Sequence, residues 1–199
     1  MIDGVLSIHI SDLQNCFIQG SIDVLGECAC QPLHQWMGEL AHHPVPMSLF
    51  LPRLREILSH ACGEMGGAGA AVAIGREAFS WAVRNLGDNL EYDSVEFRMQ
   101  PAQRRCSQGL ESLCQMLESE GMGRVRVCES GNGWQVEFED CPECRDGAAM
   151  NQGCRLVEGL IHGYMQWVDG GRFHPVHETR CREKSSGTCY FQIDKTAVE

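Results

Sequence analysis

Residues 125–144 read Val-Arg-Val-Cys-Glu-Ser-Gly-Asn-Gly-Trp-Gln-Val-Glu-Phe-Glu-Asp-Cys-Pro-Glu-Cys, and this stretch decides the fold. Val125 to Glu129 and Trp134 to Phe138 alternate apolar and polar residues, the period of a strand with one buried face. Ser130-Gly131-Asn132-Gly133 between them is tight-turn chemistry, so the pair forms a β-hairpin. Downstream the period becomes helical from about Met150 to Val168, with Gly170-Gly171 as the stop. Two more alternating runs follow, Phe173 to Thr179 and Thr188 to Ile193, joined by a polar loop with Ser185, Ser186 and Gly187. The expected fold class is α+β: helices packed on a small antiparallel sheet of about four strands.

The helices lie mostly upstream. Leu49, Leu51, Leu54, Ile57, Leu58 and Cys62 recur at helical spacing, and Gly66-Gly67 offers a stop. A second helix is expected from Gly69 to Leu86, small-residue-rich at first and then bulky, so that another element can pack closely on it. Pro101 opens a third, with Leu110, Leu113, Cys114 and Leu117 on one face and Gly121 at its end. Before residue 48 the signals thin out. Gly4 to Ile10 alternates like a short strand, and Ser11 is suited to cap a helix from Asp12 to Leu25. Cys28, Cys30, Pro32, His34, His42 and His43 suit a loop-rich passage. The expected organisation is a lead-in segment at 1–47, a ligand-binding domain at 48–194 and a tail at 195–199. No internal repeat is visible.

The chain has 199 residues with a net charge of −11, and its 43% hydrophobic content is enough to build a core. That charge repels phosphate backbones, and no basic patch offsets it, so nucleic acid is not an expected partner. Stretches free of Lys, Arg, Asp and Glu run to about a dozen residues, short of the ~20 that cross a bilayer. The start lacks the features of a secretory signal, so the expected location is cytoplasmic. Twelve cysteines are several times ordinary usage. An even count admits disulfides, but a chain without an export signal favours reduced thiols, some of them holding a metal.

Five of those thiols fall in the C-terminal third: Cys141, Cys144, Cys154, Cys181 and Cys189. Cys141 and Cys144 have the spacing at which one turn offers two sulfurs to one ion, and Cys181 and Cys189 flank a loop between strands. The bland alternative is burial as small apolar residues, the common fate of a single cysteine. Glu178 falls three residues before Cys181, and His177 points to the opposite strand face. Other motifs fail on context. Gly66-Gly-Ala-Gly69 follows no strand, so it is no dinucleotide fingerprint. Gly159 and Gly163 lie one turn apart on a helix and suit close packing on the sheet.

The order of residues carries a family resemblance. Cys154, Gly159-Leu-Ile-His-Gly163, Val176-His-Glu-Thr-Arg-Cys181 and Gly187-Thr-Cys-Tyr-Phe-Gln-Ile193 resemble the C-terminal half of the 4-vinyl reductase domain family. Gly75-Arg-Glu-Ala-Phe79 and the Cys-Pro-x-Cys are similar to its J-type members of bacteriochlorophyll biosynthesis. The resemblance implies zinc as cofactor, held by Cys154, Glu178, Cys181 and Cys189, with Cys141 and Cys144 as additional or alternative ligands, including for an iron–sulfur cluster. It also implies a pocket for an aromatic or tetrapyrrole-like ligand, with Phe79, Trp81, Trp134, Tyr164 and Trp167 as lining candidates. The expected function is a zinc-containing small-molecule-binding protein, acting as sensor, carrier or accessory factor in chlorophyll-type metabolism. One rival is a vinyl-reducing enzyme with an external electron donor, since no nucleotide cradle is present. Another is a structural zinc protein for assembly. A homodimer and a partner enzyme are both compatible with the sequence. His162 and His174 have the chemistry of axial tetrapyrrole ligands but receive no role.

Overall fold

The computed structural model describes residues 11–27, 29–39, 45–86, 92, 94–131, 133–147, 153–181 and 187–198. The strand expected over 4–10 lies outside them. The sheet consists of β1 (Arg124–Ser130), β2 (Gly133–Glu139), β3 (Val176–Arg180) and β4 (Thr188–Asp194). Its order is β1-β2-β4-β3, with every neighbouring pair antiparallel. The hairpin closes as its sequence predicts: Ser130 pairs with Gly133, and Gly131 takes φ 46°, the left-handed conformation such turns require. Trp134, Val136 and Phe138 face the same way as their partners Ile193, Phe191 and Cys189, and all six are buried. The alternating pattern thus becomes one apolar face under the helices. At Phe173 the expected strand is reduced to an isolated bridge with Val198, and β3 starts only at Val176. Pro175 has no N–H to give a ladder, which accounts for the late start.

Helix α1 (Asp12–Leu25) begins where the sequence places it. Ser11 Oγ accepts from the Gln14 amide at 3.2 Å, and Gln14 Oε1 accepts from the Ser11 amide at 3.1 Å. That reciprocal pair is a capping box. Helix α2 (Gln31–Glu39) stands in the passage expected to be a loop. Leu33 and Trp36, one turn apart, supply the apolar face: Leu33 is buried and the Trp36 ring lies 6.1 Å from that of Phe50. Pro32 is tolerated because it falls in the first turn.

Helix α3 (Met47–Leu86) corrects the expected break at Gly66-Gly67. The interruption is at Gly63, whose φ of 73° only a glycine adopts readily. Beyond it the chain bends so sharply that a Cβ on Gly67 would stand 3.0 Å from the Leu58 carbonyl. Gly63 makes the bend, and Gly67 lets the two halves touch. A single turn, α4 (Val95–Arg98), follows, capped by Ser94 Oγ on the Phe97 amide. Helix α5 (Ala102–Ser119) buries Leu110, Leu113, Cys114 and Leu117 as its periodicity predicts. Helix α6 (Arg155–Val168) starts about a turn later than expected, after a 3-10 turn at Pro142–Gly147. Among the described residues no helix is long and apolar enough to cross a membrane.

The glycines of α6 pack on α3 and not on the sheet. A Cβ on Gly159 would strike the Val72 carbonyl, one on Gly163 would lie 2.9 Å from the Arg76 carbonyl, and one on Gly75 would strike that of Leu156. The two helices meet backbone to backbone. We predict that Gly159→Ala costs about 1–3 kcal/mol of stability in urea unfolding, because neither backbone can yield to the new methyl. Gly69→Ala, which meets no atom within 4 Å, should gain ~0.5–1 kcal/mol from helix propensity.

Candidate functional site

The N-terminus of α6 meets the ends of the sheet, and the cysteines converge there. Cys141 and Cys144 bracket the first residues of the 3-10 turn, Cys154 caps α6, Cys181 follows β3 and Cys189 lies on β4. All five are buried, and each carries a thiol and not a disulfide. The Sγ atoms of Cys141 and Cys154 are 3.7 Å apart, those of Cys154 and Cys189 3.7 Å, and those of Cys144 and Cys189 3.3 Å. Two overlapping quartets result. Cys141, Cys144, Cys154 and Cys189 present donors within 4.8 Å of one another, as do Cys154, Glu178, Cys181 and Cys189. The second quartet is the set expected from the sequence. The first brings in the two cysteines placed outside it. His177 is exposed and takes no part.

Hydrogen bonds from Cys141, Cys154 and Cys189 pull the Cys144 thiol far below its ordinary value. Burial pushes Cys16 and Cys114 up to about 12 and Cys106 to about 11, which keeps these three thiols protonated at neutral pH. Glu178 Oε2 accepts from the Cys154 amide at 3.0 Å, while its Oε1 is buried without a hydrogen-bond partner among the described residues. Gly153, at φ 73°, makes this approach feasible, since a Cβ there would strike Oε2.

A buried ion pair between residues far apart in the chain holds this end of the molecule together. Arg55 of α3 and Glu143 between the first two cysteines have side chains 3% and 0% exposed, with Nη1 to Oε1 at 3.0 Å. Glu143 Oε1 also accepts from the Leu156 amide and Oε2 from the Val157 amide, both at 2.9 Å. Arg55 reaches the Gly153 carbonyl at 3.3 Å as well. One carboxylate thereby satisfies two free amides at the start of α6 and ties them to α3. Burial pushes the Glu143 carboxyl up to about 7, against the pull of Arg55 and the two amides. The neighbouring Arg53–Glu56 pair on α3 is, by contrast, exposed.

The other end of α6 forms an aromatic pocket. Tyr92, Phe97, Arg98, Arg105, Trp167 and Val168 line a cavity of about 260 Å³. The Trp167 ring lies 5.1 Å from Tyr92 and stacks on Phe97 at 6.4 Å. Tyr92 donates to the Gly109 carbonyl at 2.8 Å, and Tyr164 to the Arg105 carbonyl at 2.8 Å. Arg105 is held by the carbonyls of Arg98, Gln100 and Val168 at 3.2–3.4 Å, which fixes its guanidinium beside the rings. Of the five pocket candidates, Trp167 lines the cavity, and behind it Tyr164 packs tilted at 5.9 Å from Tyr92 and Phe79 edge-on at 6.2 Å from Trp167. Trp81 and Trp134 lie elsewhere, donating to Asp23 and Ser107. Tyr92, Phe97 and Arg105 were not singled out. Phe97 belongs to a four-residue helix too short for periodicity to reveal.

As the described residues shape it, this cavity does not fit a tetrapyrrole. The cavity is below the ~300–1,000 Å³ of pockets for drug-sized ligands. No described histidine lines it. His174 sits between Asp194 O at 2.8 Å and Asp169 Oδ2 at 2.9 Å, and His162 stacks on Phe173 at 5.1 Å.

No protein-family model and no curated protein matches the sequence. Among solved structures the chain is similar to the phenol-responsive sensory domain of the transcription activator PoxR, determined with phenol, at 18% identity over 75% of each chain and a TM-score of 0.53. It is similar to an oxygen-binding H-NOX domain related to soluble guanylate cyclases, at 12% identity over 93% of this chain and 94% of that one, TM-score 0.53. It is also similar to a variant of the T. tengcongensis H-NOX domain, at 14% identity over 94% and 97%, TM-score 0.55. At these identities the likeness establishes the fold.

These findings correct the expected membership of the 4-vinyl reductase family. Zinc as the named cofactor, a role in bacteriochlorophyll or tetrapyrrole metabolism, and the vinyl-reductase alternative fall with it. The resemblance rested on cysteine spacing in residues 141–193, and thiols closing a strand–loop–strand recur without common descent. The donors also do not reduce to the single closed quartet that the zinc assignment assumed.

Two measurements probe this region. Arg55→Met should cost on the order of 3–5 kcal/mol in denaturant unfolding, because Glu143 stays buried without its partner. Arg53→Met, which breaks an exposed pair, should cost ~1 kcal/mol or less. His162 is held down to about 4 by burial, then by Arg76 and His177. Its folded value is therefore below the ordinary 6.5, so the unfolded chain takes up its proton first. Full stability holds above about 6.5 and drains away as pH falls towards 4, and His162→Phe should show a shallower loss across that window.

Proposed function

We propose that this chain is a ligand-responsive sensory domain whose ligand is a small, single-ring aromatic molecule bound between Tyr92, Phe97 and Trp167. The observation that carries the reading is the cavity itself: three aromatic residues and two arginines in its lining, and a volume of about 260 Å³ that suits one ring. Burial raises the Tyr92 and Tyr164 hydroxyls well above their usual range, so both remain hydrogen-bond donors at neutral pH and hold the wall in place. Arg98 and Arg105 offer donors to a hydroxyl or oxyanion on the ring. The fold it shares with a phenol-responsive domain and with an oxygen-binding one supports a sensory role. A second hollow of about 400 Å³ also touches Trp167, but Arg76, Glu77, Ser80 and Gln166 make its lining polar.

The chemistry asked of the protein is recognition without turnover. The rings supply stacking, and the guanidiniums orient the polar substituent. Phenol titrated into the full chain should quench Trp167 fluorescence with a dissociation constant of about 10 µM–1 mM, the range open to so small a ligand. Trp167→Ala should weaken binding at least tenfold when read by calorimetry. Binding that persists unchanged in Trp167→Ala, or a native protein that calorimetry finds inert to phenol at millimolar concentration, would overturn the reading.

A further inference from the structure

The thiol cluster carries an inference independent of the aromatic pocket. Six donors meet at the start of α6, and a tetrahedral ion takes four. Cys154 and Cys189 belong to both quartets, while the six together do not fall within one group. We propose that this site holds two thiophilic divalent metal ions in tetrahedra that share an edge. Cys141, Cys144, Cys154 and Cys189 bind the first. Cys154, Cys189, Cys181 and Glu178 bind the second, so the thiolates of Cys154 and Cys189 bridge the pair.

The spacing supports single ions over a larger inorganic cluster. A metal–sulfur bond of ~2.3 Å places two sulfurs of one tetrahedron ~3.8 Å apart. The separations of 3.7 Å from Cys141 to Cys154 and 3.7 Å from Cys154 to Cys189, the shared pair, already match that edge, and Cys144 stands closer still to Cys189, at 3.3 Å. An iron–sulfur cluster would spread its cysteines around the inorganic core and hold them farther apart.

Glu178 gives the second ion its own warrant. Its Oε2 is committed to the Cys154 amide, and its Oε1 is buried with no hydrogen-bond partner among the described residues. A buried carboxylate oxygen left without a partner is costly unless a cation or donor meets it. Binding releases the thiol protons to solvent and changes no oxidation state, so the assembly needs no co-reactant. The N-terminus of α6 adds its partial positive charge at Cys154.

The test is stoichiometry resolved by site. Reduced full chain in which the exposed Cys62 and Cys128 are both changed to serine is titrated with cadmium-113 and followed by NMR and native mass spectrometry. Two tightly bound equivalents and two resonances are expected, both coupled to the β-protons of Cys154 and Cys189. Cys141→Ser with Cys144→Ser should leave one equivalent and only the oxygen-containing site. Glu178→Gln or, independently, Cys181→Ser should leave one equivalent and only the all-sulfur site. Elemental analysis of the protein as purified under reducing conditions, which needs no variant to fold, should give two metal ions per chain. One equivalent and one resonance at saturation would overturn the proposal, as would two resonances that share no cysteine.

Discussion

The contact on which the structure depends is that of two peptide backbones. Helix α6 lies on α3 with no side chain between them at Gly75, Gly159 and Gly163. This closeness sets where both ends of α6 stand. Its first residues reach the edge of the sheet, and its last turn lies over α4 and the start of α5. Each glycine there gives up helix propensity of ~1 kcal/mol relative to alanine, which burial of Leu156, Leu160, Ile161 and Tyr164 must offset.

The Arg55–Glu143 pair belongs to the same frame. Removing two charges from water is expensive, and a purely apolar contact would hold α3 to α6 at lower cost. The ionic pair adds direction. Glu143 uses both oxygens, on one guanidinium and two amides, so it fixes the rotation and height of the α6 N-terminus as well as its proximity. It also lies between Cys141 and Cys144 in the chain, so the same residue aims the turn that carries those thiols. The position of the sulfurs therefore follows from a salt bridge made by neither of them.

How far the sequence reveals this molecule depends on the range of each interaction. Ser11 and Gln14 are three residues apart, and their capping box can be read directly; so can the hairpin around Gly131. The break in α3 was misplaced because the double glycine is the louder signal, whereas the bend needs only Gly63, and Gly67 serves contact. Helix α2 was hidden by proline, cysteine and histidine, residues whose averages say loop although Leu33 and Trp36 find a core. The grouping of Cys154, Glu178, Cys181 and Cys189 was expected only as an implication of the family resemblance, and spacing alone does not single it out. That Cys141 and Cys144 join Cys154 and Cys189 was not legible, since it depends on how the 3-10 turn folds back. Arg55 and Glu143 are 88 residues apart, and no local pattern connects them. The family resemblance failed for a related reason: short cysteine spacings record local geometry and not ancestry.

The glycine seam has a mechanical side. Helix α6 has 14 residues, so its ends are ~21 Å apart, with the thiols at one and the aromatic pocket at the other. A helix seated through side chains can absorb a small push by changing rotamers. One seated backbone on backbone has no such compliance, and it shifts as a stiff strut or stays where it is. A displacement imposed at Trp167 therefore reaches Cys154 without being dissipated on the way.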